Sequence, residues 1–328
     1  MTGGSKTFAG IVFAVVVSTA GWAGGAAGQG YPDRPVRLVL PYPAGGPSDI
    51  VARTFGQKLG ESLGQQFVTD NRAGAAGIIG CEIAARAAPD GYTLLMGSVG
   101  VLTINPLLRQ KLPFDPVRDF QPVSLLSSSP YVLLVTPAVP ARSVKELAAL
   151  AKARPGQLNY ASGGVGTGNH LSAELFKLAA GIDMVHVPYK GASVAVGDLV
   201  AGHVQALFVN VLPAVPHVKS GRVRALAVTS TRRSGAVPEV PTFAESGFPG
   251  IETGSSYGLL APARVPAAIV KRLHGELARI ARQPEIRERL EGQGAEVIGS
   301  APEEFAAFIR SETARWARVI KAAGIKPE

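Results

Sequence analysis

Short apolar runs alternate along the chain with stretches whose apolar residues recur every three or four positions, the pattern of strands interleaved with amphipathic helices. The first run, Val36-Arg37-Leu38-Val39-Leu40, stops at Pro41 and predicts a strand. After a loop at 42–49, Ile50, Val51, Phe55, Leu59 and Leu63 share one helical face. There follow a strand at 66–69, a Gly/Ala-rich stretch at 72–80, a helix around Ile83, the turn Pro89-Asp90-Gly91 and a buried strand at 92–96. Two short strands, 123–126 and 132–135, flank Ser127-Ser128-Ser129-Pro130. Beyond them the alternation repeats, with strands at 158–161, 186–189 and 206–209 and helices at 171–178 and 194–200. Ser143 and Glu146 form a capping box that opens another helix. A strand at 223–229 returns toward the first unit, and the chain ends in two helices. The last opens on a second capping box, Ser300 to Glu303, and carries Phe305, Phe308, Ile309, Trp316 and Ile320 on one side as core packing. The order predicts an α/β layered fold of mostly parallel strands in two lobes joined by two crossing strands. Residues 30–126 and 227–328 make the first lobe, and 127–226 the second, inserted lobe.

The N-terminus breaks this pattern. Lys6 is the only charged residue before Asp33; an apolar run from Phe8 to Val17 and the small residues Ala23, Ala26 and Ala27 follow it. These are the parts of a secretory signal peptide, 1–29, cleaved near 27–30. The apolar run is about ten residues, against about 20 needed to span a bilayer. An uncleaved anchor is the other reading of it. The signal predicts an exported, soluble protein.

Composition narrows the class. Hydrophobic residues make up 46% and charged residues 17%, which excludes a disordered chain. The 39 Gly and 25 Pro, about a fifth of the residues, predict many tight turns and loop-to-helix junctions. A single cysteine, Cys81, excludes an internal disulfide framework and a Cys-rich metal site. The five histidines have no H-E-x-x-H spacing, and neither a metal nor a cofactor is expected. The formal charge of +9 is dispersed, with no basic run longer than the pairs Arg232-Arg233 and Lys271-Arg272, so nucleic acid is not expected as a partner. A modest field favouring small anions is one reading of it; a solubility charge is the other.

Two junctions could hold such an anion. One strand ends in Pro43-Ala44-Gly45-Gly46-Pro47-Ser48-Asp49 before a helix, and another in Tyr160-Ala161-Ser162 before Gly163, Gly164, Gly166, Thr167 and Gly168. Helix starts carry free N–H groups and partial positive charge, and glycines let a ligand approach the backbone. Ser48, Asp49, Ser162 and Thr167 add polar side chains, although Asp49 could instead cap its helix. Plain turn chemistry is the competing reading of both loops. Neither is a nucleotide fingerprint: Asn169 interrupts G-x-G-x-x-G, and no Gly-Lys-Ser/Thr occurs. Gly254-Ser255-Ser256-Tyr257-Gly258 matches the nucleophile-elbow spacing, but Leu259 and Leu260 continue it as strand, and no Asp follows Asp198. An exported serine hydrolase acting through Ser256 is therefore the weaker alternative. His170, which opens the helix after the second loop, is the histidine to test.

These residues in this order resemble the Bug family of periplasmic solute-binding proteins, the TctC-type receptors of tripartite tricarboxylate transporters. The resemblance runs from Tyr31 to Ile325. It is carried by 41–53, by Asp70-Asn71-Arg72-Ala73-Gly74, by 89–94, by Tyr160-Ala161-Ser162 and by Gly166-Thr167. His186-Val187-Pro188-Tyr189-Lys190-Gly191, 224–229, 238–242 and Arg315-Trp316 complete it. It implies the type II periplasmic-binding-protein architecture, two α/β lobes around a ligand cleft. It also implies a ligand site of Tyr42, Ala44, Gly45, Gly46, Asp49 and Ser98 on one wall, facing Ser162, Gly166, Thr167, Tyr189 and Asn210 on the other. Many relatives carry Asp at the position of Asn210, suited to an amine or hydroxyl, and often Trp near Tyr257. The expected role is capture of a small carboxylated solute (a di- or tricarboxylate, an aromatic acid or an amino-acid-like ligand) by closure of a monomer's two lobes, without covalent chemistry. The expected partners are membrane permease subunits or, in a sensory role, a sensor kinase.

Overall fold

The computed structural model describes residues 1–4, 30–322 and 324–325, so most of the expected signal segment and its cleavage zone lie outside the described residues. In chain order the elements are β1 (Val36–Leu40), α1 (Pro47–Leu63), β2 (Phe67–Asn71), α2 (Ile78–Ala85), β3 (Thr93–Ser98), α3 (Val99–Thr103) and α4 (Asn105–Leu108). Next come β4 (Phe120–Val135), α5 (Val144–Ala153), β5 (Asn159–Ser162), α6 (Gly168–Ala180), β6 (Val185–Pro188), α7 (Ala195–Ala201), β7 (Ala206–Asn210), α8 (Val211–Lys219) and β8 (Arg224–Val228). The chain closes with β9 (Gly254–Pro262), α9 (Ala267–Ile280), α10 (Pro284–Glu291), β10 (Glu296–Val297) and α11 (Pro302–Ala322).

The strands form two sheets that share β4. In the first, β2, β1 and β3 run parallel, β9 pairs antiparallel with β3, and the N-terminal part of β4 pairs with β9. In the second, the C-terminal part of β4 pairs antiparallel with β7 and β8, and β5 and β6 continue in parallel beyond β7. The two strands expected around Ser127–Pro130 are thus one strand of 16 residues. The serines do not break it because their hydroxyls find partners across the ladder: Ser129 accepts from Asn210 at 2.6 Å, and Ser128 lies 3.0 Å from the Ser256 hydroxyl. Pro130 is tolerated where the ladder changes partner from β9 to β7.

The return crossing also differs from the expectation. β8 stays in the second sheet beside β4, and β9 carries the chain back. Phe243 and Ile251, between them in sequence, pack with Phe176 and Phe208 in the second lobe's core, where Phe208 and Phe243 stack at 5.8 Å. The first lobe's core gathers Leu38, Leu40, Phe55, Leu94 and Leu259 with Leu273 and Leu277 of α9.

Helix ends follow the sequence with one exception. Ser143 caps α5 as expected, accepting from the Glu146 N–H. At α11 the cap lies one residue later: the Ala301 N–H donates to the Glu304 carboxylate at 2.9 Å. Ser300 instead accepts from the Leu125 N–H, tying the helix entry to β4. α11 then spans both lobes, with Phe305 and Ile309 in the first lobe and Trp316 and Ile320 packed with Leu108 and Leu171.

Gly258, in the middle of β9, leaves the space that the Phe305 ring occupies; a Cβ there would overlap the ring and sit 2.7 Å from the Ser124 carbonyl oxygen. Gly258→Ala is expected to destabilise the fold by about 1–3 kcal/mol through overpacking, read as a lowered midpoint in urea unfolding. An unchanged midpoint would show that α11 yields without cost.

Candidate ligand-binding site

Parallel strands deliver their carboxyl ends to one edge of a sheet, and crevices at that edge are where open α/β folds bind ligands. Here β1 and β3 from the first lobe and β5 and β7 from the second lead to loops around a cavity of about 60 Å³. Its walls include Tyr42, Pro43, Gly46, Pro47, Ser48 and Ser98 from the first lobe. Facing them are Gly163, Thr167, Gly168, Asn169, Gly191, Ala192, Ser193, Val209 and Asn210. Tyr131, Ser255 and Tyr257, from the crossing strands, close its floor. The lobes touch across the mouth. Gly191, at φ 137°, lies so near Pro43 that a Cβ would come within 2.7 Å of the proline ring, and this left-handed, crowded position suits only glycine.

Six of the residues expected from the sequence reach this cavity: Tyr42, Gly46, Ser48, Ser98, Thr167 and Asn210. Gly46 is the N-cap of α1, with Pro47 at the first helical position. The Asp49 and Ile50 N–H groups both return to the Gly46 carbonyl, at 3.0 and 3.1 Å. The Ser48 hydroxyl is buried and has no hydrogen-bond partner. Thr167 is the N-cap of α6. Its hydroxyl lies 2.7 Å from the Gly164 carbonyl and 2.6 Å from Asn169 Oδ1, so the side chain braces the loop. Asn210 caps α8, accepting from the Leu212 N–H at 3.0 Å.

The other expected residues lie elsewhere. Ala44 and Gly45 are exposed on the loop. Asp49 turns back onto its own loop: it accepts from the Gly45 N–H, from Arg53 at 2.9 Å and from Asn71. Burial by itself would raise its carboxyl, but these three partners outweigh burial and hold it below the ordinary carboxylate range. Tyr189 donates to Asp198 at 2.5 Å and is absent from the cavity wall. Ser162, fully buried, lies 2.6 Å from His186 Nε2 behind the loop. Gly166 and His170 line a second cavity of about 340 Å³, with Arg109 and Glu174. There the Gly166 N–H donates to His170 Nδ1 at 3.4 Å, so both histidines support the loop from behind.

Sequence reasoning missed Tyr131, Ser255, Ser193 and Asn169 as members of the wall. Asn169 did leave a signal, as the residue that interrupts the glycine pattern. Its Oδ1 accepts from the His170 N–H, and its Nδ2 donates to the Phe208 carbonyl at 3.0 Å, which fixes the loop to β7. The three tyrosines share hydroxyl partners, Ser98 with Tyr42 and Ser255 with both Tyr131 and Tyr257. Burial is the main reason all three phenols are raised, Tyr131 to about 12, so they stay neutral at physiological pH. Ser256 lies within β9 beside Ser128, not on a strand-to-helix turn, so the elbow geometry a serine nucleophile needs is not formed. Among the described residues, no group of three or more His, Cys, Asp or Glu is placed to hold a metal ion. No helix among them is long and apolar enough to cross a membrane.

The histidines behind the loop make it sensitive to acid. Burial, then His170 and Lys177, push His186 down to about 4 from an ordinary 6.5, with Glu174 opposing. The unfolded chain therefore takes up this proton more readily than the folded one. The stability contributed is fully present above about pH 6.5 and is lost as pH falls toward 4. Thermal unfolding is expected to shift to lower temperature across this window, with a shallower slope for His186→Gln; equal slopes would exclude His186 as the source.

A model of the family described as "Tripartite tricarboxylate transporter family receptor" matches residues 51–325. The protein BugT of Bordetella pertussis is 36% identical over 316 residues, covering 96% of this chain and 97% of BugT. Among solved structures, Rpa4515 of R. palustris with adipate is 37% identical, with a TM-score of 0.89, covering 91% of this chain and 100% of that one. MatC of Rhodopseudomonas palustris with bound malate is 34% identical, with a TM-score of 0.84, covering 88% and 100%.

Proposed function

The chain belongs to the tripartite tricarboxylate transporter receptor family, the TctC/Bug solute-binding proteins, and from that premise we propose that it captures a small carboxylate between its lobes in the periplasm. The two relatives solved with adipate and malate support a carboxylate as the ligand class. The observation that carries the proposal is the Ser48 hydroxyl: buried, without a partner, and at the start of α1 on the wall of a cavity that α6 enters from the other lobe.

The chemistry needs no cation. One carboxylate oxygen takes the Ser48 hydroxyl and the Ser48 N–H at the start of α1, and the other takes first-turn amides of α6, at Gly168 and Asn169. A hydrogen bond to a charged group contributes about 1.5–3 kcal/mol, and a helix start adds about 0.3–1 kcal/mol for an anion. Neither wall holds the ligand alone, so the carboxylate favours the closed arrangement by its greater affinity for that state. The closed receptor would then present the solute to permease subunits of a tripartite transporter. No reacting group is used, in keeping with relatives that are solute-binding proteins.

Calorimetry against mono-, di- and tricarboxylates, aromatic acids and amino acids tests the reading. Binding of at least one carboxylate is expected, and silence across the panel would reject it. Ser48→Ala separates a ligand role from a structural one. Because the hydroxyl bonds nothing in the protein, the melting temperature should hold while carboxylate affinity falls about tenfold or more. Full affinity in Ser48→Ala would move the carboxylate away from the start of α1.

A further inference from the structure

Beside the cores of the two lobes lies a small separate cluster of buried side chains: Ile104, Leu108, Leu171, Trp316 and Ile320. Its members come from both lobes. Ile104 and Leu108 belong to the α3–α4 segment of the first lobe. Trp316 and Ile320 lie in the C-terminal half of α11, whose N-terminal half is anchored in that same lobe by Phe305 and Ile309. Among the described residues, Leu171 of α6 is the one buried member that the second lobe supplies.

Leu171 is set apart from the rest of its helix. Ala173, Phe176 and Ala180 of α6 pack into the second lobe's own core, whereas Leu171 is fully buried in the cluster that the first lobe supplies. It stands one turn beyond Thr167, and its N–H donates to the Thr167 carbonyl at 3.0 Å. The leucine is therefore rigidly joined to the helix start that enters the cavity. A second contact crosses the lobes nearby: a Cβ on Gly166 would lie 3.3 Å from Leu108 Cδ1, so α4 also packs against the loop that leads into α6. Neither leucine lines the cavity between the lobes.

We infer that Leu171 is a positioning residue for capture: a knob that seats in a first-lobe socket of Ile104, Leu108, Trp316 and Ile320 when the lobes close, and so sets how tightly a carboxylate is held without touching it. This rests on the capture by closure proposed above. All four socket residues move with the first lobe, so rotation of the second lobe about the shared strands β4 and β9 withdraws Leu171 from them. Open lobes expose the knob and its socket to water, and the cost of that exposure favours the closed state. Apparent affinity scales with the fraction of molecules able to adopt the binding state. Truncating a buried leucine removes enough apolar burial to move such an equilibrium by about tenfold or more.

The test is calorimetry and stopped-flow dissociation of the whole protein, with the tightest-binding of succinate, malate, adipate and benzoate, at a temperature where each variant is folded. Leu171→Ala is expected to weaken binding about tenfold or more through faster release. Leu108→Ala, from the opposite side of the contact, is expected to do the same. Undiminished affinity in either folded variant overturns the inference. Should neither variant fold, Trp316 reports on the socket directly, because Trp22→Phe leaves it the sole tryptophan of the chain. Acrylamide should then quench Trp316 more readily without the acid than with it, and equal quenching overturns the inference. If an acid binds and the leucine variants hold it as tightly as the natural chain, only the inference falls; if none of the four acids and no carboxylate in the wider panel binds, the carboxylate reading falls with it.

Discussion

Between Pro130 and Tyr131 the ladder of β4 changes partner from β9 to β7, and both halves of the molecule take their orientation from that change. Strand alternation then sorts side chains to two sides of the seam. Tyr131, Ser255 and Tyr257 face the cavity between the lobes, while Ser128 and Ser256 meet in a groove on the other side. The hydroxyl-rich run that resembles a turn in sequence is therefore the strip of backbone that both sheets share. Rotation of one lobe against the other has to be absorbed near this strip. The bonds from Ser129 to Asn210 and from Thr229 to the Tyr131 backbone fix the second lobe to it.

The same topology brings positive helix ends to the cavity. Each parallel β–α junction ends a strand and starts a helix, so the loops that reach the cavity arrive with positive helix ends. Proline at the first helical position of α1 and glycine at the first of α6 leave the backbone accessible. Side chains in the second rank then hold those loops. Asp49 with Arg53 and Asn71 does so for the first lobe, and Asn169, Ser162 and the His170–His186 pair for the second. Several residues with the chemistry of ligand contacts are in fact braces.

That division explains what could be read from the chain. The two loops were legible because strand, Gly/Pro junction and amphipathic helix follow one another locally. Gly46, Ser48 and Thr167 lie at the helix starts and reach the cavity. Asp49 and Ser162 lie within the same motifs but point away, because Arg53 one turn on and His186 on a neighbouring strand supply nearer partners. Tyr131, Ser255 and Ser193 had no local signature, since only the packing of crossing strands against both lobes brings them to the wall. The long β4 was hidden for a related reason: its serines lack strand propensity and are satisfied only by distant residues. Most of the elements and their order followed from periodicity alone.

Among the described residues no charged side chain lines the cavity wall, which has a consequence for the timing of the proposed capture. The formal charge of +9 lies in bulk water, where dissolved ions weaken it within about 10 Å at 0.1 M salt. It can speed the arrival of an anion only in dilute media. If closed lobes hold an anion as proposed, the dipoles around it are out of reach of those ions. Brine would slow the encounter and leave the residence time alone, so a receptor built this way forgets its catch at the same pace in fresh water and in salt.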